Sequence, residues 1–201
     1  MRVSIRSTIL AVAGVTLAAC GYDSTSPRSS LEPTATVARV ATRTGFGFNG
    51  IASGFLTGKV FLTGGGSFDV SEATNGIPTD STVRSSGGFR CIEPVAQGPL
   101  TNCGQGEGVR WDTVQLLEST PFKCTGKATE PNKTAFTSSN RVVLKADFYL
   151  AGDGNDETFT ANIIVSETDL DPDIDGIQNI WVQGVGCASG VVSFSAPRVA
   201  Q

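Results

Sequence analysis

The sequence predicts an all-β domain, an antiparallel β-sandwich or barrel-like fold with one long hairpin at 141–166. Three observations lead there. Beyond the N-terminal segment, apolar residues never keep helical spacing for three turns, whereas period-two runs bounded by Gly, Asn, Asp and Pro recur. The run RVVLKADFYL, 141–150, places Val142, Leu144, Ala146, Phe148 and Leu150 on one face and Val143, Lys145, Asp147 and Tyr149 on the other. The run ETFTANIIVS, 157–166, repeats the pattern with Phe159, Ala161, Ile163 and Val165 inward, and the turn-rich AGDGND between the two runs makes them a hairpin.

Taken in order, the expected strands are 57–63, 67–71, 82–85, 88–92 and 109–117, then the hairpin, then 177–185 and 190–196. Roughly 155 residues, 45–201, suit a single domain with its own core. GFGFNG, 45–50, has the letters of a dinucleotide-binding loop, but no strand clearly precedes it and no helical pattern follows. Gly104, Gly106 and Gly108 mark a loop, since neither Lys nor a helix follows.

The first nineteen residues carry Arg2 and Arg6 ahead of an apolar run too short to span a bilayer, the layout of a cleaved signal peptide. Leu17-Ala18-Ala19-Cys20 resembles the lipobox of bacterial lipoproteins. The resemblance implies acylation of Cys20 and a membrane held through that N-terminal lipid anchor. Gly21 stands where an Asp would favour inner-membrane retention, so the expected location is the cell envelope, at the outer membrane or cell surface. Residues 20–44, rich in Ser, Thr and Pro with few large apolar side chains, read as a lipidated tether of on the order of 25–30 Å reach.

Composition removes whole classes of function. The chain has no histidine, which excludes Ser-His-Asp and Cys-His catalysis and every His-ligated metal. Without Arg2 and Arg6, 13 basic residues face 19 acidic ones, net −6, which argues against nucleic acid as a partner. Cys91, Cys103, Cys124 and Cys187 are an even set in an exported chain, without a CxxC, and read as disulfides. Of the three connectivities, Cys91–Cys103 with Cys124–Cys187 is the expected one.

Nine carboxylates lie between Asp147 and Asp175, and no Lys or Arg occurs between Lys145 and Arg198. In TDLDPDIDG, 168–176, the residues Asp169, Asp171, Asp173 and Asp175 alternate. From Asp171 to Gly176 the letters match the start of an EF-hand loop, which makes these four a candidate calcium site. The twelfth position, which should hold a bidentate Glu, is Val182. The alternative is an extended acidic edge, with Leu170 and Ile174 inward and the Asp residues in water.

Two functions fit. One is a non-catalytic binding or structural β-domain with a glycan or protein partner. Asn179, Trp181 and Gln183 are its candidate contact, unless Trp181 is core. The other is a carboxylate-dependent hydrolase, for instance a glycosidase, because alternate Asp residues on an extended strand are roughly 6.5–7 Å apart.

Overall fold

A computed structural model describes residues 42–53, 58–76, 83–95, 103–150, 159–196 and 198–199. The lipobox, the tether up to residue 41 and the hairpin tip lie outside the described residues. The domain is all-β, and no α-helix occurs among the described residues. Its strands are β1 Thr42–Ser53, β2 Lys59–Phe68, β3 Arg84–Glu93, β4 Gly108–Leu116, β5 Ser119–Phe122 and β6 Lys133–Phe136. After them come β7 Arg141–Leu150, β8 Phe159–Ser166, β9 Ile180–Val182, β10 Gly186–Phe194 and β11 Arg198–Val199.

Eight of these close into an antiparallel barrel in the order β1-β2-β3-β4-β7-β8-β9-β10. Closure is made by β10 pairing back onto β1, from Phe46 opposite Phe194 to Ala52 opposite Ala188. Eight strands enclose a space that side chains can fill, and closure leaves the barrel strands without a sheet edge. Phe46, Phe68 and Phe194 cluster toward one end of the interior, while Phe89, Phe148 and Phe159 cluster toward the other. Trp111, 1% exposed, fills the space between Phe48 and the β2–β3 wall.

The hairpin is as expected: β7 pairs with β8 from Arg141 opposite Ser166 to Phe148 opposite Phe159. Val142, Leu144, Ala146, Phe148, Ala161, Ile163 and Val165 all point into the buried interior, and Phe159 packs against it. Both disulfides form with the expected connectivity, Cα atoms 6.2 Å apart in Cys91–Cys103 and 4.6 Å apart in Cys124–Cys187.

Several boundaries differ. The expected strands 57–63 and 67–71 are one strand, β2, and 82–85 and 88–92 are one strand, β3. The glycines between them do not break the chain; they let it pass close to its neighbours. A Cβ at Gly64 would lie 2.3 Å from Trp111 Cζ2, and one at Gly87 would lie 2.7 Å from Trp111 Cε2. These absent side chains make room for the indole. GFGFNG is the middle of β1, which already begins at Thr42, inside the stretch expected as tether. The expected strand 177–185 shrinks to β9, because 183–185 turns back into β10.

The short strands β5 and β6, not anticipated, form a separate two-stranded hairpin between β4 and β7. Its residues join a second buried cluster of Leu117, Phe122, Cys124, Ala135, Val143, Ile164, Leu170, Trp181 and Cys187. Val143, Ile164, Trp181 and Cys187 form one cross-strand row over β7-β8-β9-β10, on the face opposite the interior residues. Along this row the barrel wall is therefore packed on both faces.

Candidate functional site

The acidic loop comes first, because its charges need an account. Residues 167–179 follow β8 as a series of turns rather than an extended edge. Asp169 Oδ1 accepts from the backbone N–H groups of Asp171 and Gln178, both at 3.0 Å. Asp171 does not point to water: it is 1% exposed. The edge expectation fails at this residue because a cation arrives from elsewhere in the chain. Lys133, at the start of β6, places Nζ against Asp171 Oδ1 and 3.0 Å from Asp173 Oδ2. The hydrogen bond to Asp171, working against burial and helped by Asp173, holds the Lys133 ammonium above its usual pKa.

A calcium ion in this loop would have to displace that ammonium. The EF-hand's twelfth position, Val182, is 1% exposed and belongs to the barrel interior. Asp175 is exposed and joins none of these carboxylate contacts among the described residues. Near Asp171, oxygens of Glu130 and Asp171 and the sulfur of Cys124 lie within 4.8 Å of one another. That sulfur is bonded to Cys187, so it offers no thiolate to a metal.

Asn179, Trp181 and Gln183 do not make one open face. The Trp181 indole is 6% exposed, packs edge-on against Phe122 and donates from Nε1 to the Lys123 carbonyl at 2.7 Å. Asn179 is buried, and its amide ties to the Gly190 backbone through both its oxygen and its nitrogen. Gln183 is exposed and accepts from Asn162 N at 3.0 Å. Trp181 is core, the alternative weighed against sugar stacking.

An open site lies on the other half of the wall. A groove of about 480 Å³ runs over the outside of β2, β3, β4 and β7 and is lined by Phe61, Thr63, Ser86, Gly88, Arg90, Arg110, Asp112 and Tyr149, among others. Register explains the assembly: Thr63 lies opposite Gly88, Gly88 opposite Arg110 and Arg110 opposite Tyr149. In the next row, Phe61 lies opposite Arg90 and Arg90 opposite Gly108. Gly88 and Gly108 keep the floor at backbone level between longer side chains.

The walls are chemically mixed. Phe61 is 40% exposed, and Ile51, its cross-strand partner on β1, is exposed as well. Arg90 and Arg110 are exposed, and among the described residues neither makes a salt bridge. Tyr149 donates its hydroxyl to Asp112 Oδ2 at 2.7 Å, and that bond raises the phenol's pKa above the usual value. Asp112 stands directly opposite Asp147, a like-charge pairing that is unfavourable unless relieved. Thr160 relieves it by donating to Asp147 Oδ1 at 2.6 Å, as Tyr149 does for Asp112. Asp112 and Asp147 are thus neighbouring carboxylates on adjacent strands, but only Asp112 lines the groove.

Sequence reasoning placed Arg110, Asp112 and Tyr149 in strands without assigning them a role. The available signal was alternation: in VRWDT, Val109 and Trp111 point inward, so Arg110 and Asp112 point outward. Comparison with protein-family models, with curated proteins and with solved structures finds no match.

Proposed function

We propose that this protein is a non-catalytic binding module of the cell envelope, held by a lipid on Cys20 at the outer membrane or cell surface, with the β2-β3-β4-β7 groove as its glycan-binding face. The carrying observation is the pair of exposed arginines, Arg90 and Arg110, without a carboxylate partner among the described residues and set beside the exposed ring of Phe61. A sugar presents an apolar face to stack on a ring and a periphery of hydroxyls. Arginine adds a fixed fork of donors suited to acidic or hydroxyl oxygens, and Asp112, Ser86 and Thr63 supply acceptors and small hydroxyls. The groove is level with Asn49 and Ile51, toward the end of β1 away from Thr42, where the chain enters the barrel. Two disulfides suit the oxidising side of a membrane.

The test is a panel of immobilised acidic and neutral oligosaccharides probed with wild type and the Phe61→Ala/Arg110→Gln double variant. Wild type should retain acidic members, and the double variant should bind about tenfold or more weakly, the loss expected from removing one charge-assisted hydrogen bond and one stacking contact. Equal binding by the two proteins, or no binding of any sugar by wild type, would refute the reading.

A further inference from the structure

The buried meeting of Lys133 with Asp171 serves no ligand at the groove, and its chemistry goes beyond charge balance. The two residues are 38 positions apart, one opening β6 and the other in the loop after β8. The Asp171 side chain is 2% exposed and the Lys133 side chain 23%, while Asp173, the second partner of Nζ, is 82% exposed. Around them the second core supplies Leu170, Ala135, Trp181 and the Cys124–Cys187 disulfide.

The approach is held from both sides. On one side, β6 is paired to β5, with Lys133 opposite Phe122. On the other, Asp171 is fixed by its own N–H to Asp169 Oδ1, by Asp173 N donating to Asp171 Oδ1 at 3.2 Å, and by Ile174 N donating to its carbonyl at 3.1 Å. An amine and a carboxyl kept in contact this way behave as one molecule reacting with itself, for which effective concentrations are very large. Burial adds a reason to react. A carboxylate buried as Asp171 is costly to keep charged, whereas an amide carries no charge.

We propose that Lys133 and Asp171 join through an intramolecular isopeptide bond, with Asp173 carrying the proton. The balance is that of any amide formation. A proton passes from Nζ to the Asp171 carboxylate, giving an amine and an acid, and the amine lone pair attacks Cγ. Asp173, 3.0 Å from Nζ, takes a second proton from nitrogen and returns it to the departing hydroxyl. The C–N bond forms, the C–O bond breaks and one water leaves past the exposed Asp173; no oxidant, metal or cofactor is consumed. Because the ion pair holds its proton on Lys133, the free amine is a minor species and the reaction is slow. One event per chain suffices. The product would fasten β6 to the 167–179 loop in a way that reduction cannot undo, unlike the neighbouring Cys124–Cys187 bridge.

The test is peptide mapping of the full exported chain after complete reduction. Trypsin should fail to cut after Lys133, and residues 128–141 should appear joined to 146–198 in a branched peptide lighter by one water than its two parts. Lys133→Arg keeps the cation but cannot form this amide, so it should show cleavage at position 133 and three separate peptides of full mass, 128–133, 134–141 and 146–198. In Asp173→Asn the linkage should be incomplete shortly after synthesis. Unlinked wild-type peptides of full mass would overturn the proposal, as would a branched peptide that persists in Lys133→Arg. Linkage equally fast in Asp173→Asn would overturn the part given to Asp173.

Discussion

The two halves of the barrel wall have opposite outer faces. Over β7-β8-β9-β10 the outside is buried along the row Val143, Ile164, Trp181 and Cys187 beneath the β5–β6 hairpin and the 167–179 loop, with Val143 and Ile164 at 0% exposure and Trp181 at 6%. Over β1-β2-β3-β4 it is bare, with Ile51, Phe61 and Arg110 in solvent. The interior is continuous across both halves, so interior packing does not distinguish them. The difference teaches where each job is placed. The covered half carries the Cys124–Cys187 bridge and the Lys133–Asp171 meeting, and the bare half carries the groove, which Tyr149 of β7 borders on the other side.

The sharpest way to break this comparison is to truncate one large aromatic on each outer face. Trp181→Ala should cost about 3–5 kcal/mol, because it leaves a cavity in a packed layer and strips the Lys123 carbonyl of its donor. Phe61→Ala, on the bare face, should change stability by no more than about 0.5 kcal/mol while weakening ligand binding. Denaturant unfolding of both variants checks the contrast; similar losses for the two would mean that the bare face is structural.

A somewhat smaller effect sharpens it. Cys124–Cys187 closes a separation of 63 residues and Cys91–Cys103 one of 12. Chain entropy assigns them about 4 and about 3 kcal/mol, values that measured bridges often fall short of. The location of the damage is more telling than its size. Loss of Cys124–Cys187 through paired alanines should open Trp181 to an aqueous quencher and leave Trp111 shielded inside the barrel. Loss of Cys91–Cys103 should leave both indoles shielded. If Trp181 stays shielded in the first variant, the hairpin and loop hold the cover without the bridge.

How legible this was depends on the half considered. Alternation in β7 and β8 identifies the interior face, since inward positions repeat at every second residue regardless of what lies outside. The cover was also written in the sequence, in a different form. Val142-Val143-Leu144, Ile163-Ile164-Val165 and Ile180-Trp181-Val182 are consecutive apolar triplets, and a strand buried on both faces needs such runs. Lys133 as the partner of Asp171 was not legible, because nothing local connects residues 38 apart. The groove was half legible. Outward positions can be named from period two, but bringing Phe61, Arg90, Arg110 and Tyr149 together takes the register of four strands, and β2 and β3 each looked like two pieces because of their glycines.

The smallest effect concerns how the cover is held at Glu130. Burial opposes ionisation of this carboxyl, but hydrogen bonds from the Thr125 hydroxyl and from the backbone N–H groups of Thr125, Cys124 and Gly126 outweigh it, and the pKa falls below the ordinary 4.5. Its oxygens accept from Cys124 N at 2.6 Å and Thr125 N at 2.9 Å, fixing the backbone at the Cys124–Cys187 bridge. A carboxyl whose pKa is depressed by folding stabilises the native state above its unfolded pKa, and that contribution disappears as pH falls through the folded value. Glu130→Gln keeps the shape and one acceptor but removes the charge. It should therefore cost about 1 kcal/mol at neutral pH, a charge-assisted bond discounted for partial exposure. The gap between wild type and variant should stay constant down to about pH 4.5 and close below it. Thermal unfolding of both proteins across that window checks the sign. A gap that widens on acidification would mean that Glu130 is held as the neutral acid, and its anchoring of the cover would have to be assigned to other contacts.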